Sequence, residues 1–221
     1  DCCAAVYAYE KPVIDGTVSE NEWRGGKELW LGEGNEYELF TSYKGDSDLS
    51  GNIKYMWDED NLYMLCQMTD DIFYQKESGS GLWSGDSVQI GVYYGQIAHN
   101  DQRLFTELGF ALTPNGPFVA KYSTEPGATV FTEHQGEAEM TQLAVTRNGK
   151  LTTYEARIPW AELLTADAPR LTAGESVRFN MIVNDNDGAG RWGWVEYGAG
   201  IGVVKDGTQF GYLRLMDNNK K

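Results

Sequence analysis

Apolar and polar residues alternate along most of this chain, and the alternation predicts strands. The clearest stretch is NIKYMWDEDNLYMLCQMTDD. Ile53, Tyr55 and Trp57 share one face, a polar turn Asp58-Glu59-Asp60-Asn61 follows, and Leu62, Met64, Cys66 and Met68 alternate back. Period-two alternation on both sides of a short polar turn predicts a β-hairpin. The same period predicts strands near 87–94, 104–112, 117–122, 139–147, 151–158, 177–183, 191–197 and 209–215, with an edge strand from Tyr37 to Tyr43. TPNGP and RNGK supply turns, and KPVIDGTV opens with a short strand that closes at Asp15-Gly16. Helix signals are sparse. Ser19 and Glu22 have capping-box spacing for one short helix, and Trp160 to Leu164 after Pro159 fit a single helical turn. Many short strands with almost no helix predict an all-β fold, an antiparallel, jelly-roll-like β-sandwich with one or two short helical turns. The division expected is an N-terminal extension over 1–11, one sandwich domain over 12–216 and a C-terminal tail over 217–221.

The polar members of these strands carry further information. Arg178, Asn180 and Asn184 point away from the core on one strand, Glu155 and Arg157 on another, Ser87 and Gln89 on a third and Glu107 on a fourth. They predict one sheet with a polar outer face. That face is either solvated and laced with cross-strand ion pairs, or a concave floor that hydrogen-bonds a ligand.

Composition narrows the possibilities. The 221 residues suffice to bury a core without staples, and 26 Gly, 7 Trp and 13 Tyr suit short strands joined by glycine turns. With 18 Lys and Arg against 33 Asp and Glu, the net charge is −15. Such a surface repels nucleic acid and anionic membranes and suits neutral ligands and divalent cations. No apolar run approaches the ~20 residues of a membrane helix. No signal peptide is visible, so export would make this chain the mature form. Cys2 and Cys3 are adjacent and Cys66 alternates with core methionines, a pattern of free thiols or one incidental bridge rather than a disulfide framework or a cysteine zinc site.

One residue does not fit the alternation. Trp83 stands between Gly81 and Gly85, just before the strand that begins at Ser87. It is either a cap on the end of the core or a ring held ready for a ligand. The ordered segments VIDGTVSENEW, MWDEDNLYMLCQMTDD, LWSGDSVQIGV, YEARIPWAEL, FNMIVNDND and FGYLRL bear on the choice. This set, from about Pro12 to Leu215, resembles the family 9 carbohydrate-binding modules and the wider superfamily that includes the haem- and sugar-binding DOMON domains. The resemblance implies a β-sandwich with calcium sites and a sugar slot between two aromatic side chains. Trp83 stands at the family's first aromatic position, and counting through GRWGWVEY puts Tyr197 at the second, with Trp192 and Trp194 nearby. The floor departs from the family pattern. Gln89 stands where sugar-binding members place a Glu, Ile182 where they place a Gln, and Glu107 falls near a sugar-binding Arg, so reducing-end specificity is not implied.

The chemistry agrees with that expectation. Sugar C–H groups stack on the negative faces of aromatic rings, and sugar hydroxyls need amides and carboxylates. The expected sugar site is Trp83, Tyr197, Gln89, Glu107, Trp194 and Asn184. Calcium wants oxygen ligands, and the acids at strand ends, Asp70, Asp71, Asp86, Asp185 and Asp187, are its candidates; the plain alternative is turn chemistry. NDNDG is not an EF-hand loop. Catalysis finds little support: His99 and His134 lie in polar stretches, no hydrolase or metalloprotease motif occurs, and pairs such as Glu137 and Glu139 arise readily in so acidic a chain. The reading is a secreted or cell-surface module that holds a polysaccharide or oligosaccharide, with structural calcium, attached to a larger enzyme or a surface assembly. Its rivals are a haem-binding electron-transfer domain, for which Met56, Met64 and Met68 are available but no histidine stands in a recognised motif, and a structural or adhesive module.

Overall fold

A computed structural model describes residues 2–39, 42–93, 105–123, 136–164 and 168–218. Both histidines lie outside these residues. Thirteen strands run in chain order: β1 (Cys2–Tyr7), β2 (Lys27–Leu31), β3 (Glu36–Glu38), β4 (Leu49–Trp57), β5 (Asn61–Asp70), β6 (Ser87–Tyr93), β7 (Thr106–Thr113), β8 (Gly116–Ser123), β9 (Gln142–Asn148), β10 (Leu151–Pro159), β11 (Ser176–Asp185), β12 (Gly193–Glu196) and β13 (Gly211–Met216). One α-helical turn, α1 (Trp160–Leu163), and two 3₁₀ turns, Gly79–Ser84 and Gly207–Gln209, complete the described elements. The chain is therefore all-β.

The strands hydrogen-bond in the order β8-β7-β6-β11-β13-β1-β4-β5-β10-β9, with β2 on β4, β12 on β11 and β3 on β12. The sheet rolls over so that its halves pack face to face. The segment entering β9 bonds back to β8, Lys121 N to Gly136 O at 2.9 Å and Ala138 N to Val119 O at 3.0 Å. Inward positions follow the predicted alternation: Ile53, Tyr55, Met64 and Cys66 from one half meet Val88, Ile90, Phe179 and Met181 from the other, all buried. Each such side chain stabilises the fold by about 1.5–3 kcal/mol on leaving water. Met56 packs in a second buried cluster, while Met64 and Met68 belong to the main one.

The sequence pattern and the structure differ in four places. The stretch expected as an extension contains β1, which lies in the middle of the sheet and pairs parallel with both β13 and β4. Its small residues, CCAAV, carry almost no periodic signal. Residues 20–25 form turns rather than a helix, although Glu22 accepts Ser19 N at 3.2 Å, the return bond of a capping box, along with Val13 N at 2.7 Å. Glu155 and Arg157 lie on β10, in the other half of the sheet from Asn184 and Gln89. Glu155 accepts Trp23 Nε1 at 3.0 Å under the 12–25 segment. The edge strand expected over 37–43 is the three-residue β3.

The remaining polar positions do share one outer face, on β6, β7 and β11, and that face is not solvated. Ser87, Gln89, Glu107, Asn180 and Asn184 are each 3% exposed or less. The 3₁₀ turn Gly79–Ser84 covers one side, with Leu82 against Ala111 and Ala120. The loop after β12 covers the other, where Ile201 and Phe210 pack on Ile182 and Trp194. Gly91 makes room for that loop, since a Cβ there would lie 2.6 Å from the Phe210 ring.

Candidate functional site

Between these two covers runs a row of polar side chains. Lys205 Nζ lies 2.8 Å from both oxygens of Glu107. Gln89 Nε2 donates to Glu107 Oε1, Asn184 Nδ2 donates to Gln89 Oε1 at 2.7 Å and to Ser87 Oγ at 3.0 Å, and Arg191 Nη1 donates to Asn184 Oδ1 at 2.9 Å. The pairing register explains the row. Asn184 lies opposite Ser87 on the neighbouring strand, and Gln89 and Glu107 are diagonal neighbours across β6 and β7.

At the end of the row stand the aromatic residues. Trp83 is 45% exposed. The guanidinium carbon of Arg191 lies 4.9 Å from the Trp83 ring centroid and 4.5 Å from that of Trp194. Tyr37 stacks on Trp194 at 4.5 Å and 16° between planes, and Trp194 Nε1 donates to Glu196 Oε2 at 2.9 Å. Local chemistry sets this arrangement. Gln75 holds the 3₁₀ turn through Leu82 O and Asp86 O. Asn186 ties the turn to the Arg191 loop: Nδ2 donates to Ser84 O at 2.6 Å, while Oδ1 accepts Gly188 N at 2.7 Å. Gly188 and Gly190, at φ 101° and 112°, give the loop the left-handed turns it needs.

The structure thus brings Trp83, Trp194, Asn184, Gln89 and Glu107 to one face. It does not bring Tyr197 there. Tyr197 shares the parity of Val195, which faces the core, and its ring lies 6.4 Å from Phe179 while its hydroxyl donates to Tyr212 O at 3.1 Å. Trp194, three residues earlier and so of opposite parity, is the β12 ring that stands on the side of the polar row. Arg191 escaped the sequence reading because a lone arginine in a glycine-rich loop has no period; its flanking tryptophans were the available signal.

The reverse side of the same strand ends carries the acids. Asp48, Asp71 and Asp187 each offer an oxygen within 4.8 Å of the others. Asp71 Oδ1, Asp185 Oδ1 and Asp187 Oδ1 are buried without a hydrogen-bond partner. Burial, reinforced by Asp48, Asp187, Asp70 and Asp71, pushes the Asp185 carboxyl up to about 7. Lys44 leans over the group, 3.3 Å from Asp48 and 3.2 Å from Asp187. Carboxylate oxygens buried without a hydrogen-bond donor are a hard-oxygen donor set of the kind that fits calcium.

Two of the five acids expected as ligands have other work. Asp70 accepts Arg147 Nη1 at 3.1 Å and Ile72 N at 2.9 Å. Asp86 accepts Tyr74 N on one oxygen and Asn186 N on the other, and burial next to Asp70 raises its pKa to about 9. Asp48 was missed, because its GDSD turn lies far along the chain from the others.

Comparison with known proteins bears on the fold and the family. A family model described as "Carbohydrate family 9 binding domain-like" matches residues 14–218. Two solved structures of a family 9 carbohydrate-binding module from Caldicellulosiruptor kristjanssonii, one in complex with cellotriose and one with glucose, are similar in fold. Their TM-scores are 0.68 and 0.67 at 20% identity, over 100% of this chain and 96% and 98% of those chains. Among curated proteins, Exoglucanase XynX of Acetivibrio thermocellus is 26% identical over 85% of this chain, and Endo-1,4-beta-xylanase A of Thermotoga maritima is 25% identical over 96%. The chain spans only 14% and 18% of the length of those enzymes.

Proposed function

The chain belongs to the carbohydrate family 9 binding domains, and on that premise we propose that it is a non-catalytic module that holds an oligosaccharide or polysaccharide end against Trp83. The observation that carries this reading is the half-exposed Trp83 ring beside a buried row of amides and a carboxylate, Asn184, Gln89 and Glu107, on one sheet face. A pyranose ring stacks its C–H groups on the indole, and its hydroxyls find donors and acceptors that are already oriented. Trp194 stiffens the site from behind, held by Tyr37 and Glu196.

The names of the relatives, which include xylanases and a module complexed with cellotriose and glucose, support β-1,4-linked glucose or xylose chains as ligands. They also support a place within a larger glycan-degrading enzyme, at work at the cell surface or beyond it. Calcium is proposed as a structural ion held by Asp48, Asp71, Asp185 and Asp187. It would supply the positive charge that the buried carboxylates lack, and it would take no part in sugar chemistry.

The test is calorimetric titration with cello- and xylo-oligosaccharides and affinity electrophoresis on a polysaccharide panel, each with and without EDTA. Saturable binding to one or more glycans is the expected result. Retention on none of them returns the aromatic edge to a protein partner, and a Soret band in the purified protein replaces the sugar reading with haem.

A further inference from the structure

Arg191 is the feature that glycan binding alone does not use. Among the described residues it makes one hydrogen bond, to Asn184, and Nε is buried without an acceptor. No carboxylate forms an ion pair with it among those residues, although the chain has 33 acidic side chains. The one carboxylate in the row, Glu107, is already matched by Lys205. Glu196, the other acid at the site, is engaged by Trp194 Nε1 and Asn180 Nδ2 and not by Arg191, so the guanidinium has no carboxylate of its own. Desolvation lowers the arginine's pKa from its ordinary value, as expected for a guanidinium drawn from water with two ring faces and one neutral amide for company. Stacked rings hold a guanidinium by its faces and leave its N–H groups to bond within the plane; with Nε buried and Nη1 bonded to Asn184, Nη2 is the donor left for a carboxylate.

Resting on the reading of the slot as a glycan site, we propose that Arg191 sets specificity for a glycan that carries an isolated carboxylate, a uronic acid residue, beside the sugar that stacks on Trp83. The isolation matters. A net charge of −15 repels a densely charged polyanion, whereas a single acid group at physiological salt feels little beyond about 8 Å and responds to the local guanidinium. The preferred ligand is therefore a mostly neutral chain with sparse uronic acid branches, and not a polyuronate.

The experiment titrates the intact protein with a xylo-oligosaccharide bearing one glucuronic acid, with its methyl ester, and with unsubstituted xylotriose and cellotriose. The acid should bind roughly ten- to a hundredfold tighter than its ester, the range of a charge-assisted hydrogen bond. Arg191→Gln should abolish the difference between acid and ester, whatever affinity the two then share; Arg191→Lys should keep part of the preference. The comparison of acid with ester in the unaltered protein holds even if both variants fold poorly. Equal binding of acid and ester, with clear binding of cellotriose or xylotriose, overturns the carboxylate preference and leaves the glycan reading standing. Tighter cellotriose binding by Arg191→Gln than by the unaltered protein also overturns it, because the arginine would then be filling the slot rather than serving it. Binding of no oligosaccharide at all removes the underlying reading together with the proposal.

Discussion

The strand ends of β6 and β11 serve two neighbouring regions in which charges of opposite sign lack partners. Asn184 and Ser87 face the slot, where a guanidinium lacks a carboxylate. Asp185, next to Asn184 on β11, and Asp86, just before Ser87, face the acidic cluster, where carboxylates outnumber the one lysine beside them. Successive strand residues point to opposite faces, so a single step along the backbone separates the two. The slot tolerates its unpaired guanidinium because aromatic rings and an amide solvate it. The cluster has no such substitute, and burial raises the pKa values of Asp185 and Asp86 beside it. A buried charge can thus be met by packing or by titration, and the two solutions ask for different ligands.

Removing a ring from the slot breaks the comparison most forcefully. Trp194 is buried, so Trp194→Ala should cost about 3–5 kcal/mol of stability, and it should loosen Arg191 while calcium affinity stays unchanged. Denaturant melts with calorimetry read both; a loss of calcium affinity would show that the two faces are not independent. EDTA is the next largest test. Losing an ion bound at a hundred times its Kd removes about 2.7 kcal/mol, which lowers the melting temperature by roughly 5–10 °C in a protein of this size, and calcium should restore it. The same EDTA sample should show a pH dependence. The folded chain holds protons on Asp185 and Asp86 up to about 7 and about 9, above the ordinary 3.8, so it binds them more tightly than the unfolded chain. Stability from these groups is then full in acid and falls as pH rises from about 4 toward 9; calcium should flatten that slope. A flat profile in EDTA would reduce the acids to turn chemistry.

Trp83→Ala sharpens the comparison from the binding side. Its ring is half-exposed, so melting should shift by only a few degrees while glycan affinity drops by about 1–3 kcal/mol. Early melting, or undiminished affinity, would make Trp83 a core cap. The smallest effect belongs to Lys205→Gln. The lysine is 47% exposed, so its loss should cost about 1 kcal/mol of stability or less, visible as a small shift in the urea midpoint.

What the sequence disclosed follows from periodicity. The β4–β5 hairpin and most of β6 to β13 are readable because one face is apolar and the other is not, and Trp83 was conspicuous because it violates that alternation. The small residues of β1 carry no contrast, so a central strand looked like a tail. Tyr197 lies three residues beyond Trp194, an odd number that puts it on the opposite face, since counting along a glycine-rich loop does not preserve parity. Asp48 and Arg191 sit in turns, where side-chain direction depends on what the chain packs against rather than on neighbouring residues. Sites assembled from loops leave their chemistry in the sequence but not their geometry.

The parallel pairing of β1 with β13 has a mechanical consequence. Cys2 lies beside Tyr212 and Val6 beside Met216, so tension applied to the chain at Cys2 and at Met216 pulls the two strands past one another along their length. The interstrand bonds then share the load and must yield together, whereas a hairpin pulled from its open end would peel one bond at a time. A module that grips a solid substrate while its neighbours in the chain move would carry its load in shear, with β1 as the strand under tension.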